Sequence, residues 1–338
     1  MPNLVTESAS TEKAAAVKCK NGRASAGILI NPRSFRISAG ARLDRVCETA
    51  RAAGTPVHVV HGPDEIQAAL ASFGEDLPLR LVVIGGDGTV QAAVSALLKT
   101  PLSSIPPLLV LGGGRTNLTA RDLGTHRSLA RLLERALHDP DRLNHTQRQI
   151  LRLEQPDQGL KLFGFFVAGA LVDHVIRDCH RYRTRHRGWL RTGHPSSAWR
   201  VLQLGVLGAL GRSRFRPRPM RINAGRLGSL DQSVRVFVAS SLEHDRGWID
   251  PYAARGSGPV RLTAISAQAP RFWLTLPGLL RGRLNPALRA ETGYLSGRTE
   301  RVVVRGLNAV CVDGQEYDLD PTLDLVLDPG PAIRFLTP

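Results

Sequence analysis

The chain has 338 residues, enough for two domains of ordinary size, each with its own core. Hydrophobic residues make up 42%, which excludes a disordered or fibrous chain. The 45 Lys and Arg outweigh 29 Asp and Glu, giving a formal net charge of +16 and calling for an anionic partner: nucleic acid, an anionic membrane surface or a phosphorylated ligand.

Residues 1–24 read as a polar, disordered tail without the apolar core of a signal peptide. From Ser25, short apolar runs alternate with helical patterns. AGILINP is expected as a buried strand, Ala39 to Ala53 as a helix ending at Gly54, PVHVV as a strand and Pro63 to Phe73 as a helix. LRLVVI follows as a third strand, Val90 to Leu98 as a third helix and PPLLVLG as a fourth strand. Strands alternating with helices predict a parallel sheet covered on both faces, with ligands bound at the carboxyl ends of its strands.

After His145 the pattern changes. RQILRLEQ, LKLFGFFVAGAL, RVFVASSL, VRLTAI, RVVVRG and AVCVDGQEYDL read as strands with few helices among them, interrupted by the arginine-rich stretches RDCHRYRTRHRGWLR and RSRFRPRPMR. The expected fold class is therefore α/β, with a Rossmann-like parallel-sheet domain over residues 25–143 and a β-rich domain over 144–338. No run reaches the roughly 18 apolar residues of a membrane span. The nearest, VLQLGVLGAL (Val201 to Leu210), is too short. Cys19, Cys47, Cys179 and Cys311 stand far apart without a CxxC pair, as expected of reduced thiols rather than a zinc site or disulfide framework.

The chemistry concentrates in two glycine loops. In LVVIGGDGTVQAAVSALL, Gly85, Gly86 and Gly88 permit close backbone approaches, and the helix that follows offers free N–H groups and a positive dipole end to a phosphate. Asp87 among these glycines is out of place in a loop that only holds phosphate. The second loop, LGGGRTNLTARDLG, falls where the next parallel strand ends, so the two would clasp one ligand. Asn117 is expected to hydrogen-bond it and Arg115 to neutralise its charge. There is no GxxxxGK[ST] and no GxGxxG, which sets aside P-loop and hydride-transfer enzymes.

GGDGT followed by Gly114, Asn117, Ala120, Arg121, Leu123 and Gly124 resembles the diacylglycerol kinase catalytic domain, whose superfamily includes bacterial lipid kinases, sphingosine and ceramide kinases and, more distantly, NAD kinases. The likeness runs from INP (Ile30 to Pro32) to VDGQ (Val312 to Gln315). It implies a C-terminal β-sandwich whose last strand can return to the first domain, and ATP meeting a lipid hydroxyl between the domains. It assigns Asn31, Gly85, Gly86, Asp87, Gly88, Thr89, Gly114, Arg115 and Asn117 to the nucleotide, Asp87 to Mg²⁺, and Asp87 or Asp313 to the proton of the attacking hydroxyl. The competing expectation for Asp87 is a local turn bond to its own loop.

The chain departs from the family pattern at several positions. Gly112 and Arg115 stand for a proline and a threonine, Phe35 for a glycine, His61 for a threonine, and Gln91 with Ala92 for Asn–Glu. PYAARGSGPVRL has Gly256, Ser257 and Gly258 where an acidic loop is usual. Gln315 replaces a glutamate that would act as base, while Glu316, one residue on, points to the opposite strand face.

The leading expectation is an ATP-dependent, Mg²⁺-using lipid kinase acting on a diacylglycerol-like or sphingoid lipid, cytoplasmic and peripheral at the inner membrane face, with a homodimer left open. Tyr182, Trp189, Trp199 and Trp273 among arginines and leucines fit such a surface. The alternatives are a catalytically impaired nucleotide- or lipid-binding relative and an NAD kinase, the latter disfavoured by the Asn–x–x–Ala–Arg pattern. No nucleic-acid-binding motif accompanies the charge, and the spacing of His180, His186 and His194 does not make a metal face. SSLEHD (Ser240 to Asp245) places Ser, His and acid side by side, which is not the arrangement of a triad.

Overall fold

A computed structural model describes residues 24–38, 42–73, 77–100, 104–185, 216–243 and 250–338. The polar tail, VLQLGVLGAL, Trp189, Trp199, His186, His194 and the end of SSLEHD lie outside the described residues.

The first unit is built from β1 (Gly27–Ile30), α1 (Arg42–Ala52), β2 (Val57–Val59), α2 (Pro63–Ala71), β3 (Leu81–Gly85), α3 (Asp87–Lys99), β4 (Leu108–Gly112), α4 (Leu118–Asp122) and α5 (Leu129–His138). Its strands are parallel in the order β4-β3-β1-β2. Every residue of β1, β3 and β4 is buried, because helices cover both faces. Leu29, Leu81 and Val83 pack with Ile66 of α2 and Val94 of α3. Ile28, Val82 and Ile84, one residue out of step, face Val46 of α1 and Leu133 of α5.

Two differences from the sequence expectation bear on function. The third helix begins at Asp87 rather than Val90, so the aspartate and Gly88 belong to its first turn, where a carboxylate suits the positive end of the helix dipole. The helix α5 was not expected, although its apolar positions at 129, 132, 133 and 136 have helical spacing.

The second unit comprises β5 (Asn144–Gln155), β6 (Leu160–Gly164), β7 (Phe166–Gly169), α6 (Ala170–Arg185), β8 (Arg218–Asn223), β9 (Ser229–Ser240), β10 (Val260–Ser266), α7 (Phe272–Leu279), β11 (Tyr294–Thr299), β12 (Val302–Arg305), β13 (Ala309–Val312), β14 (Gln315–Asp318) and β15 (Leu325–Thr337). Its strands pair antiparallel, and inward residues from both halves, including Leu153, Ile222, Phe237, Leu262 and Val310, share one core as in a sandwich. LKLFGFFVAGAL, expected as one strand, is two strands and the start of α6. The arginine-rich RSRFRPRPMR ends in β8, where Met220 and Ile222 are buried between exposed arginines and Asn223.

The last strand joins the two units. β15 pairs antiparallel with β5 from Val326↔Glu154 to Thr337↔Asn144 and runs parallel to β4 at Phe335↔Leu108. Phe335 meets Phe165 edge-on at 5.9 Å between ring centroids, packing the last strand against the β6–β7 junction.

Candidate functional site

Three loops converge where β1, β3 and β4 end. The Asn31 amide N–H donates to the Ile84 carbonyl at 2.9 Å, and its side-chain Nδ2 donates to Thr89 Oγ1 at 3.1 Å. The exit of β1 is thereby tied to the first turn of α3. Gly113 N–H donates to the Gly85 carbonyl at 2.7 Å, joining the two glycine loops. They touch through their backbones: a β-carbon on Gly114 would stand 2.7 Å from Gly86 Cα, closer than real contacts come. The glycines are required by each other before any ligand is considered.

Asp87 is half-buried at the N-terminus of α3, and its Oδ1 accepts the Thr119 N–H at 3.0 Å. The carboxylate thus leans on the helix that follows the second loop, a long-range contact that the local-turn expectation did not contain. Burial raises its pKa above the ordinary value, against the opposing pull of the Thr119 and Leu118 amides.

Asn117 sits in a left-handed conformation, φ 51°, with its side chain buried. Its Oδ1 accepts Gly114 N–H at 2.7 Å and its Nδ2 donates to the Gly114 carbonyl at 2.8 Å. One N–H and the oxygen of the Asn117 amide shape the loop that carries Arg115.

The β13–β14 turn approaches from the second unit. Asp313, buried and at φ 48°, accepts N–H groups of Phe165 at 2.7 Å and Phe166 at 2.9 Å. Burial pushes its pKa well above the usual carboxylate range, and the charge of Asp87 adds to the shift. Both its oxygens are turned to the backbone, bracing the turn. Gln315 lies over the glycine loop, 2.8 Å from where a β-carbon on Gly88 would be.

Residues 25–146 match the family model of the diacylglycerol kinase catalytic domain. No curated protein matches the chain by sequence. Two solved structures of diacylglycerol kinase type from Bacillus anthracis str. Sterne share the fold. One has a TM-score of 0.65 at 13% identity and the other 0.60 at 12%, each covering 93% of this chain and 97% of the other.

The departures from the family pattern have structural partners. Phe35 and Arg115 touch each other, the guanidinium lying 3.9 Å from the ring centroid. Gln91 is buried in α3 and donates to the Phe163 carbonyl at 2.8 Å, tying α3 to β6. His61 pairs with Glu65 at 2.9 Å, which lowers the Glu65 pKa. Around the second loop, Arg36 and Arg127 lie near enough to Arg121 to lower its pKa together with burial, an electropositive rim suited to phosphate.

Residues 255–258, where an acidic loop is usual, carry no carboxylate. Residues 255–258 are held by Arg255 Nη1 on the Leu288 carbonyl at 3.0 Å and by Arg298 N–H on the Arg255 carbonyl at 2.8 Å, while Arg298 pairs with Glu243 at 2.9 Å. Among the described residues no group of three or more His, Cys, Asp or Glu is arranged to hold an ion. A Mg²⁺ carried by a triphosphate needs only one or two protein carboxylates, and Asp87 fits that lesser demand. Thr119 and the contacts Phe35–Arg115 and Gln315–Gly88 are what the sequence did not foretell.

Proposed function

We propose that this chain is an ATP-dependent lipid kinase that phosphorylates a hydroxyl of a diacylglycerol-like or sphingoid lipid at an anionic membrane surface. The observation that carries this reading is Asp87, a half-buried carboxyl of raised pKa set between two interlocked glycine loops. A carboxyl with raised proton affinity is better matched to the proton of an attacking alcohol than an exposed one. The loop amides of Gly86 and Gly88 and the Arg115 guanidinium suit the phosphate oxygens, and Asn31 holds Thr89 in place. In the transfer, the lipid oxygen bonds to the γ-phosphorus, the bond to the β-phosphate oxygen breaks, ADP leaves, and the hydroxyl proton passes to Asp87. Magnesium, when bound with the nucleotide, supplies charge neutralisation to the phosphates.

The surface of α7 supports action on a bilayer. Leu274 is 79% exposed, beside Trp273, with exposed Arg271, Arg281 and Arg283 at its flanks. An apolar side chain ringed by arginines suits an interface with anionic headgroups. No helix of the described residues is long and apolar enough to cross a membrane.

One observation favours a second reading, a nucleotide-binding relative without transfer: the side chain lying over Gly88 is an amide, Gln315, which accepts no proton at neutral pH. The deciding experiment measures ADP and phosphorylated lipid formed from ATP and mixed vesicles carrying diacylglycerol, sphingoid base or ceramide, with Asp87→Asn as control. Phosphorylated lipid above the control supports the kinase. ATP binding without product supports the second reading, and absence of ATP binding overturns both.

A further inference from the structure

A second polar cavity lies away from the glycine loops, between α6, the entry to β8 and the β13–β14 hairpin. Its volume is about 450 Å³, within the range of roughly 300–1,000 Å³ typical of small-ligand sites. Asp173, Arg177 and Arg181 line it from α6, Arg216 and Arg218 from the start of β8, and Asp318 from the end of β14. Four guanidinium groups thus face two carboxylates.

Both carboxylates are already matched. Arg177 bonds to Asp173 at 2.9 Å and to Asp318 at 3.2 Å, and it also donates to the Tyr317 carbonyl at 3.0 Å. Arg216 and Arg218 are exposed, and among the described residues no carboxylate lies within ion-pair distance of either. Positive charge is thus gathered in a concave site, and among the described residues two of the charges have no carboxylate partner. Guanidinium forks matched to the oxygens of a tetrahedral anion are the usual answer to such an arrangement.

We propose that this cavity binds a phosphate dianion, either free or as the terminal phosphomonoester of a lipid headgroup. The phosphate oxygens accept from Arg216 and Arg218, with Arg181 completing the wall, while the Arg177 ion pairs keep the cavity open. Asp173 and Asp318 set a preference for a compact dianion over a long polyphosphate, whose additional charges they repel. The cavity is separate from the site around Asp87, so the proposal does not rest on the kinase reading.

The full chain is titrated with inorganic phosphate by calorimetry, and with vesicles carrying either a phosphomonoester lipid or a phosphodiester lipid of one negative charge by co-sedimentation. The compared proteins are the wild type, Arg216→Gln/Arg218→Gln and Arg115→Gln, the last removing a cation at the glycine loops. Binding that weakens at least about tenfold in the double variant and persists in Arg115→Gln supports the proposal. Inorganic phosphate binding without vesicle preference identifies a free anion, and preference for phosphomonoester vesicles identifies a headgroup. The proposal is overturned if the double variant binds as the wild type does, if only Arg115→Gln loses binding, or if the wild type binds none of the probes.

Discussion

The Asp87 carboxylate accepts the Thr119 amide at 3.0 Å, so the one negative charge of the first glycine loop rests on the helix that follows the second. Asparagine at this position retains an acceptor for Thr119 and loses only the charge and the basicity. Asp87→Asn should therefore melt close to the wild type while phosphoryl transfer falls about 10²–10⁴-fold, the usual worth of a general base. The pH profile gives an independent reading. Burial raises the Asp87 pKa, and the carboxyl acts as base only when deprotonated, so the acidic limb of the wild-type rate profile should lie above the ordinary carboxylate range. A limb at the ordinary value, or one that survives in Asp87→Asn, would count against the assignment.

The two glycine loops give a contrast between neighbouring substitutions. A β-carbon on Gly114 meets the Gly86 backbone at 2.7 Å, and backbone cannot swing aside. A β-carbon on Gly88 meets the amide end of Gln315 at 2.8 Å, which can rotate away, and alanine suits the first turn of α3 better than glycine. Gly114→Ala should cost nucleotide affinity, measured with a fluorescent ATP analogue, and lower the melting temperature. Gly88→Ala should leave the melting temperature level or higher. Equal effects from both would show that the loops do not pack through their backbones.

For Asp313 the sign of the pH dependence separates two roles. Its folded-state pKa is raised well above the unfolded value by burial, so the folded protein holds a proton that the unfolded chain releases. The associated stability is fully present below the unfolded pKa, near pH 4, and is lost as pH rises through the folded value. Asp313→Asn does not titrate. The deficit in melting temperature of this variant should therefore be largest at acid pH and shrink as pH rises. A deficit that grows with pH would mean an anionic anchor held by the Phe165 and Phe166 amides, with a depressed pKa.

Much of this architecture is legible in the residues themselves, with characteristic gaps. The strands β3 and β4 read directly because burial on both faces makes them unbroken apolar runs, and the glycines mark where they end. The helix α6 was hidden because the β-like run FFVAG leads straight into it, with Ala170 at φ 54° rather than a capping side chain at the junction. In β8 the alternation of Met220 and Ile222 was obscured by the arginines between which they lie. Asp87 and the loops were legible as a site, but its partner Thr119 was not, because a hydrogen bond across 32 residues depends on how two loops dock. For the same reason the bonds from both ends of the Asn117 amide to Gly114 were not legible.

Phe35 and Arg115 illustrate how two departures from a family pattern can be one feature. Each alone looks like the loss of a small residue near the phosphates, yet the guanidinium lies 3.9 Å from the ring centroid. The ring packs against the guanidinium and holds it beside the glycine loops. A cation–π contact of this kind is worth about 0.5–2 kcal/mol, so Phe35→Ala should weaken ATP binding about 2- to 30-fold by releasing Arg115 from its orientation. Arg115→Thr should weaken it at least as much by removing the charge. If the pair works as a unit, the double variant Phe35→Ala/Arg115→Thr should be no weaker than Arg115→Thr alone, which a double-mutant cycle on ATP affinity measures. Fully additive losses would show that the ring and the guanidinium act independently.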